Sequence, residues 1–151
     1  MNNQLKRLQI IFKALLTGQI LFFAVAIFIK YKKLMPDSDE QLNKILQIAI
    51  LVISFVCVAS GIKIFNKKIQ QLKDSNLPVG EKFKEYQSAV IVKWAMTEGA
   101  CIIAIAGYLL TGNYAFLALA VVLLFIFSGY NPVKSRIVQQ LELNDEEAAT
   151  L

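Results

Sequence analysis

The sequence predicts an all-α integral membrane protein with four transmembrane helices, arranged as two tandem, parallel helical hairpins. Of its 151 residues, 56% are hydrophobic and 18% are charged, and the mean hydropathy is +0.53. The apolar residues are also grouped into four long blocks. A helix needs about 20 mostly apolar residues to cross ~30 Å of hydrocarbon. The length suits one domain, so we assign residues 1–151 to a single four-helix transmembrane domain.

The apolar blocks place the spans at about 8–29, 45–65, 88–110 and 114–130. The fourth block is short, so it must lie near the membrane normal or where the bilayer is thin. All five tyrosines lie at or just beyond a block end, where an amphipathic ring meets the membrane interface. These tyrosines are Tyr31, Tyr86, Tyr108, Tyr114 and Tyr130.

The connections between the blocks predict where each helix begins and ends. Ser38 and Gln41 fit a capping box at the start of the second helix. We expect that helix to continue to Lys73, where the segment 74–78 ends it at a proline. Between the third and fourth blocks, residues 111–113 leave room only for a tight turn.

Cations flank the predicted spans unevenly, and this asymmetry predicts the orientation. Four spans put both termini and the connection 64–87 on one side. Nine lysines and arginines flank the spans on that side, against four on the other. Basic segments stay in the cytoplasm. We therefore predict a multi-pass protein with both termini cytoplasmic, whose basic face contacts anionic lipid head groups. No basic soluble domain is present to bind nucleic acid.

Several residue types needed for enzyme chemistry are missing. The sequence has no histidine, and its two cysteines, Cys57 and Cys101, stand alone inside separate apolar blocks. It contains no C-x-x-C pair, no Gly-rich phosphate loop and no nucleophile motif. We expect no enzymatic activity, no metal site and no cofactor.

The two predicted hairpins share polar residues at matching positions, which suggests an internal repeat. The first and third blocks align at an offset of 80, and the second and fourth at an offset of 68. The matched residues are Lys13 with Lys93, Thr17 with Thr97, and Ser60-Gly61 with Ser128-Gly129. Lysines are rare inside membranes, so their match carries the most weight. Two hairpins of one orientation predict parallel repeats about an axis along the membrane normal.

Glu98 is the only carboxylate inside any apolar block, and its position puts it near the bilayer centre. An ionised carboxylate there costs several kcal/mol, so Glu98 must be protonated, paired or exposed to water. It could titrate as a gate or coupling site, or it could lock the two repeats together through hydrogen bonds. The candidate proton- or cation-binding residues are Glu98, Gln19, Thr17, Thr97, Lys13 and Lys93.

The segment 131–151 follows Asn131-Pro132, which ends the fourth span. Its apolar residues recur at helical spacing and predict a cytoplasmic amphipathic helix on the inner membrane face. These residues are Val133, Ile137, Val138 and Leu141, and the acidic residues Glu142, Asp145, Glu146 and Glu147 follow them. A frayed tail and a docking element for a partner are the alternatives.

These patterns favour a small non-catalytic membrane protein that acts as a scaffold or as an accessory subunit of a membrane complex. Small residues on its helix faces fit a homo-oligomer or a membrane-protein partner. The alternative is a minimal proton- or cation-coupled transporter or channel element that uses Glu98.

Overall fold

The computed structural model describes residues 2–35 and 40–150, and this part of the chain is helical, with no strand. It does not describe the side chains of residues 2, 3, 42 and 150. The helices are α1 (Asn2–Tyr31), α2 (Glu40–Lys73), α3 (Val79–Thr111), α4 (Tyr114–Ser128), α5 (Lys134–Leu141) and α6 (Asp145–Thr150). Ser38, the expected cap of the second helix, lies outside the described residues.

Three helices are long and apolar enough to cross a membrane, and they support the prediction of a membrane protein. The segments that meet this criterion are Gln4–Tyr31, Asn43–Lys73 and Val79–Thr111. Helix α4 is also apolar but has 15 residues, about 22 Å at ~1.5 Å per residue. It ends at Ser128 rather than at residue 130, because Gly129 and Tyr130 form a turn. This length falls short of a typical hydrocarbon core of ~30 Å.

Helix α3 is the central helix of the fold. Half of its most apolar stretch is buried inside the protein, against 17% for α1 and for α2. It packs on α2, α4 and α1, while α1 also packs on α4. Large exposed side chains cover the outside of α1 and α2, among them Leu21 and Phe55. This is the distribution expected when lipid, rather than water, surrounds the bundle.

Two glycines allow helices to approach α3 closely. A Cβ at Gly61 of α2 would lie 3.2 Å from the Cβ of Met96. A Cβ at Gly107 of α3 would lie only 2.7 Å from Cδ1 of Ile50 and 3.0 Å from Cδ1 of Phe116. Glycine at these positions therefore lets α2 and α4 pack tightly on α3.

The turn between α3 and α4 is formed by Gly112 and Asn113. Gly112 has φ 70°, a left-handed conformation that glycine adopts without strain. The Asn113 carboxamide oxygen accepts a hydrogen bond from the Ala115 amide at 2.9 Å and caps α4. Its nitrogen donates to Oδ1 of Asn43 at 3.0 Å and to Oε1 of Gln47 at 3.3 Å. Asn113 thus joins this turn to the start of α2.

The opposite end of the bundle contains an aromatic core to which the tail segment contributes. Helix α2 continues to Lys73 as expected, with Phe65, Ile69 and Leu72 buried on one face. Ile137 and Leu141 of α5 are 0% and 2% exposed and pack in the same cluster. Residues 134–141 do form a helix, but these two apolar side chains contact protein and are not available to a lipid surface.

Candidate functional site

Glu98 lies in a groove on the outside of the bundle, between α1 and α3. The groove is open, has a volume of about 340 Å³ and is lined mostly by apolar atoms. Its lining residues are Gly18, Gln19, Phe22, Glu98 and Ile102. Glu98 is partly buried. Of the six candidate residues, Gln19 and Glu98 line this groove together.

Gln19 is the most unusual residue of the groove. Its side chain is 2% exposed, yet neither Nε2 nor Oε1 has a hydrogen-bond partner within the described part of the chain. The Gln19 amide therefore makes no hydrogen bond to the Glu98 carboxyl group. A buried polar group without a partner costs about 1–3 kcal/mol. The groove thus contains an amide donor and an amide acceptor that none of the described residues satisfies.

The two candidate threonines do not join this groove. Thr97 is fully buried, and its hydroxyl donates to the carbonyl oxygen of Lys93, one turn earlier, at 3.0 Å. Thr17 lies on an exposed position of α1. Neither hydroxyl lines the space in front of Glu98.

The side chain of Lys93 projects from a different side of α3 than the side chain of Glu98. Five residues turn a helix by about 140° at ~3.6 residues per turn, so the two side chains diverge. Lys93 is 8% exposed, and its Nζ lies 3.9 Å from the ring centroid of Phe65 and 4.2 Å from that of Tyr130. Both distances are in the range of cation–π contacts. Lys93 therefore does not meet Glu98.

Lys93 lines a second cavity, at the end of the bundle where α2, α3 and the segment after α4 meet. This cavity is open and has a volume of about 330 Å³. Arg136 lies on its wall, and Nη1 of this residue donates to the carbonyl oxygen of Gly129 at 2.6 Å. The full lining is Ile62, Phe65, Asn66, Tyr86, Val90, Lys93, Gly129, Tyr130, Arg136 and Gln140.

This second cavity was not predicted from the sequence. From the sequence, Lys93 was assigned to the candidate site around Glu98, and Arg136 was assigned to no site. The available signal was a lysine inside an apolar block together with a basic segment directly after Pro132. Sequence alone does not indicate that these two features meet.

The residues matched by the proposed repeat lie in unlike environments. Lys13 is exposed on α1 whereas Lys93 is buried, and Thr17 is exposed whereas Thr97 is buried. The difference follows from the central position of α3 and the peripheral position of α1. The internal repeat remains a prediction from the sequence.

The described residues contain no group of three or more histidine, cysteine, aspartate or glutamate side chains that could hold a metal ion. Cys57 and Cys101 are both free thiols, the first partly buried and the second buried. Comparisons of the chain with protein-family models, with curated proteins and with solved structures find no match. Function must therefore be inferred from the chemistry of these two cavities.

Proposed function

We propose that this protein is a non-catalytic membrane subunit that associates laterally with a second copy of itself through the groove of Gln19 and Glu98. The observation that carries the proposal is the buried Gln19 amide without a hydrogen-bond partner. In lipid no water is available to satisfy such a group. The Gln19 side chain lines the groove but is only 2% exposed, so a polar side chain of a second helix at the same depth would satisfy the amide once it turns into the groove.

The groove is self-complementary in its hydrogen bonding. A carboxamide such as that of Gln19 both donates and accepts, and a protonated Glu98 carboxyl does the same. Two copies related by a twofold axis would present these groups to each other without any further residue type. Hydrogen bonds between membrane helices contribute about 0.6–2 kcal/mol each.

Two glycines, one next to Gln19 and one next to Glu98 in the sequence, have space for close contact with another helix. A Cβ added at Gly18 of α1 or Gly99 of α3 would meet nothing within 4 Å. Unlike Gly61 and Gly107, these residues are not needed for packing within the subunit. Small residues on an exposed face let a second helix backbone approach.

Lateral association can be measured by energy transfer between donor- and acceptor-labelled protein, reconstituted at increasing lipid-to-protein ratio. Gly18→Leu should weaken association because it fills the open space of the groove, where an added Cβ would meet no other atom within 4 Å. Ala59→Leu is the matched control, since Ala59 is an exposed small residue on α2, outside the groove. Equal association of wild type and Gly18→Leu would contradict the proposal.

A second candidate is proton- or cation-coupled transport through Glu98. It is favoured by the fact that Glu98 lines an open groove and is not sealed inside the bundle. Vesicles with a pH-sensitive dye separate the two functions. For a subunit we expect no proton flux in wild type. Coupling instead requires a wild-type flux that Glu98→Gln abolishes.

We further propose that α4 is a fourth, short span and that both termini are cytoplasmic. The uneven distribution of flanking cations supports this orientation. The connection of α3 to α4 through Gly112 and Asn113 supports a return across the bilayer, since it leaves α4 no room to leave the bundle. The tandem hairpins predicted from the sequence belong to the same proposal.

A further inference from the structure

We propose that the cavity formed around Lys93 and Arg136 is a binding site for a phosphate group, carried by an anionic lipid head or by a free phosphate. This site is separate from the groove of Glu98 and does not depend on the proposed self-association. Its ligand chemistry follows from its charge, its donors and its place at the end of the bundle.

The cavity carries two positive charges and no negative charge. Lys93 and Arg136 both line it, and no aspartate or glutamate is among its lining residues. The carboxylates on neighbouring segments are already paired: Glu85 with Lys68 at 2.7 Å, and Glu142 with Lys73. A buried cation without a counter-ion is costly in a membrane. An anion in the cavity would remove this cost.

The Lys93 ammonium is held in place but keeps its donors. Phe65 and Tyr130 contact it through their ring faces, which attract the cation but neutralise no charge. An ammonium has three N–H donors, and the described residues accept no hydrogen bond from Lys93. Lys93 can therefore donate to a ligand oxygen without leaving the two rings.

Arg136 is likewise held by backbone groups that leave most of its guanidinium available. Its Nη1 donates to the carbonyl oxygens of Gly129 at 2.6 Å and of Asn131 at 3.3 Å. A guanidinium has five N–H donors in a planar fork, which suits a phosphate oxygen pair. The two carbonyls fix the side chain on the wall of the cavity.

Position and size favour phosphate over a smaller anion. The cavity is open and has a volume of about 330 Å³, far above the ~10–15 Å³ that one water molecule needs, so it can accommodate a substituted phosphate. Tyr86 and Gln140 form one wall through a hydrogen bond of 2.9 Å. The cavity lies where α4 ends and the polar tail begins, the level at which lipid phosphates meet a membrane protein.

Two measurements on the purified full chain test the site and distinguish the sources of the phosphate. Native mass spectrometry counts the lipids retained after addition of phosphatidic acid, phosphatidylglycerol or phosphatidylcholine. Thermal unfolding in lipid-free detergent compares inorganic phosphate with chloride at equal ionic strength. Lys93→Met and Arg136→Gln each remove one charge. Lys13→Met and Lys134→Gln are matched controls, because both are exposed lysines outside the cavity.

We expect Lys93→Met and Arg136→Gln each to weaken binding about tenfold or more, as loss of a charge-assisted hydrogen bond implies. The two controls should bind like wild type. Retention of the anionic lipids alone assigns the site to a lipid head, and stabilisation by inorganic phosphate assigns it to a free phosphate. The proposal is overturned if wild type retains the anionic lipids no better than phosphatidylcholine and is stabilised by inorganic phosphate no more than by chloride. It is also overturned if both cavity variants bind like wild type, or if the controls lose as much binding.

Discussion

Lys93 and Glu98 are five residues apart on α3, yet their side chains lie in separate sites on different sides of the helix. The ammonium of Lys93 rests between the rings of Phe65 and Tyr130, whereas Glu98 faces Gln19 and Gly18 across an open groove. The lysine and the glutamate in the apolar part of α3 therefore do not form an ion pair. Any counter-ion or hydrogen-bond partner of either side chain must therefore be a group other than these two.

The separation of these residues predicts that their contributions to stability are independent. Residues that share no partner show additive effects within about 0.3–0.5 kcal/mol. We expect Lys93→Met, Glu98→Gln and the double variant to obey this additivity in denaturant unfolding of the detergent-solubilised monomer. A coupling energy clearly above ~1 kcal/mol would mean that the two side chains meet, against the geometry described above.

Lys93→Met should stabilise the protein when no anion is present. The substitution keeps an apolar stem between Phe65 and Tyr130 and removes a buried charge that lacks a counter-ion. Replacing a buried ion pair by apolar side chains often stabilises by about 1–4 kcal/mol, and a lone buried charge has no ionic attraction to lose; we expect about 1 kcal/mol because the cation–π contacts are lost. Thermal unfolding in phosphate-free detergent measures the change. Lys13→Met should leave the midpoint unchanged, and a lower midpoint for Lys93→Met would count against an unpaired charge.

Asn113→Ala should destabilise the protein by about 1–2 kcal/mol. It removes the cap of α4 together with the hydrogen bonds to Asn43 and Gln47 that join the α3–α4 turn to α2. Asn76→Ala is the control, because Asn76 is exposed in the connection between α2 and α3. The measurement is the free energy of unfolding in denaturant. If both variants unfold alike, Asn113 does not hold this end of the bundle together.

The orientation can be tested with single cysteines in a Cys57→Ala, Cys101→Ala background. Leu34 and Asn76 are both exposed and lie at opposite ends of α2, just before it and just after it. With the termini in the cytoplasm, an impermeant thiol reagent applied to intact cells should label Leu34→Cys and not Asn76→Cys. Permeabilised cells, in which both should react, are the control. The reverse labelling pattern would place the termini outside.

Hydropathy predicted the positions of the helices in the sequence well, but it did not predict which helices pack against each other. The long apolar blocks, the continuation of α2 to Lys73 and its buried face of Phe65, Ile69 and Leu72 all follow from residue spacing. No hydropathy signal identifies α3 as the central helix, because apolar helices in lipid associate through packing and polar contacts rather than through hydrophobicity. For the same reason Lys13 and Lys93, alike in sequence, differ in burial.

The candidate site was predicted in part. A carboxylate and an amide inside apolar blocks are visible in the sequence, so Glu98 and Gln19 could be identified. The cavity of Lys93 and Arg136 could not, because it forms only when residues 43 positions apart meet at the end of α4. The tail shows the same limit. The spacing of Ile137 and Leu141 indicates an apolar helix face, but not that protein rather than lipid covers it.

The central claim is that Gln19 and Glu98 join two copies of the protein. Its most direct test is the number of copies per particle that wild type and Gln19→Leu form in a bilayer. Single-molecule photobleaching of labelled protein in dilute phosphatidylcholine vesicles counts copies per particle, with Ala59→Leu as control. If Gln19 and Glu98 join two copies, wild type and the control should be largely dimeric. Gln19→Leu should then dissociate about three to thirty times more readily for each interhelical hydrogen bond that is lost. Wild type that is monomeric at every dilution, or a Gln19→Leu variant that dimerises like wild type, would contradict the account.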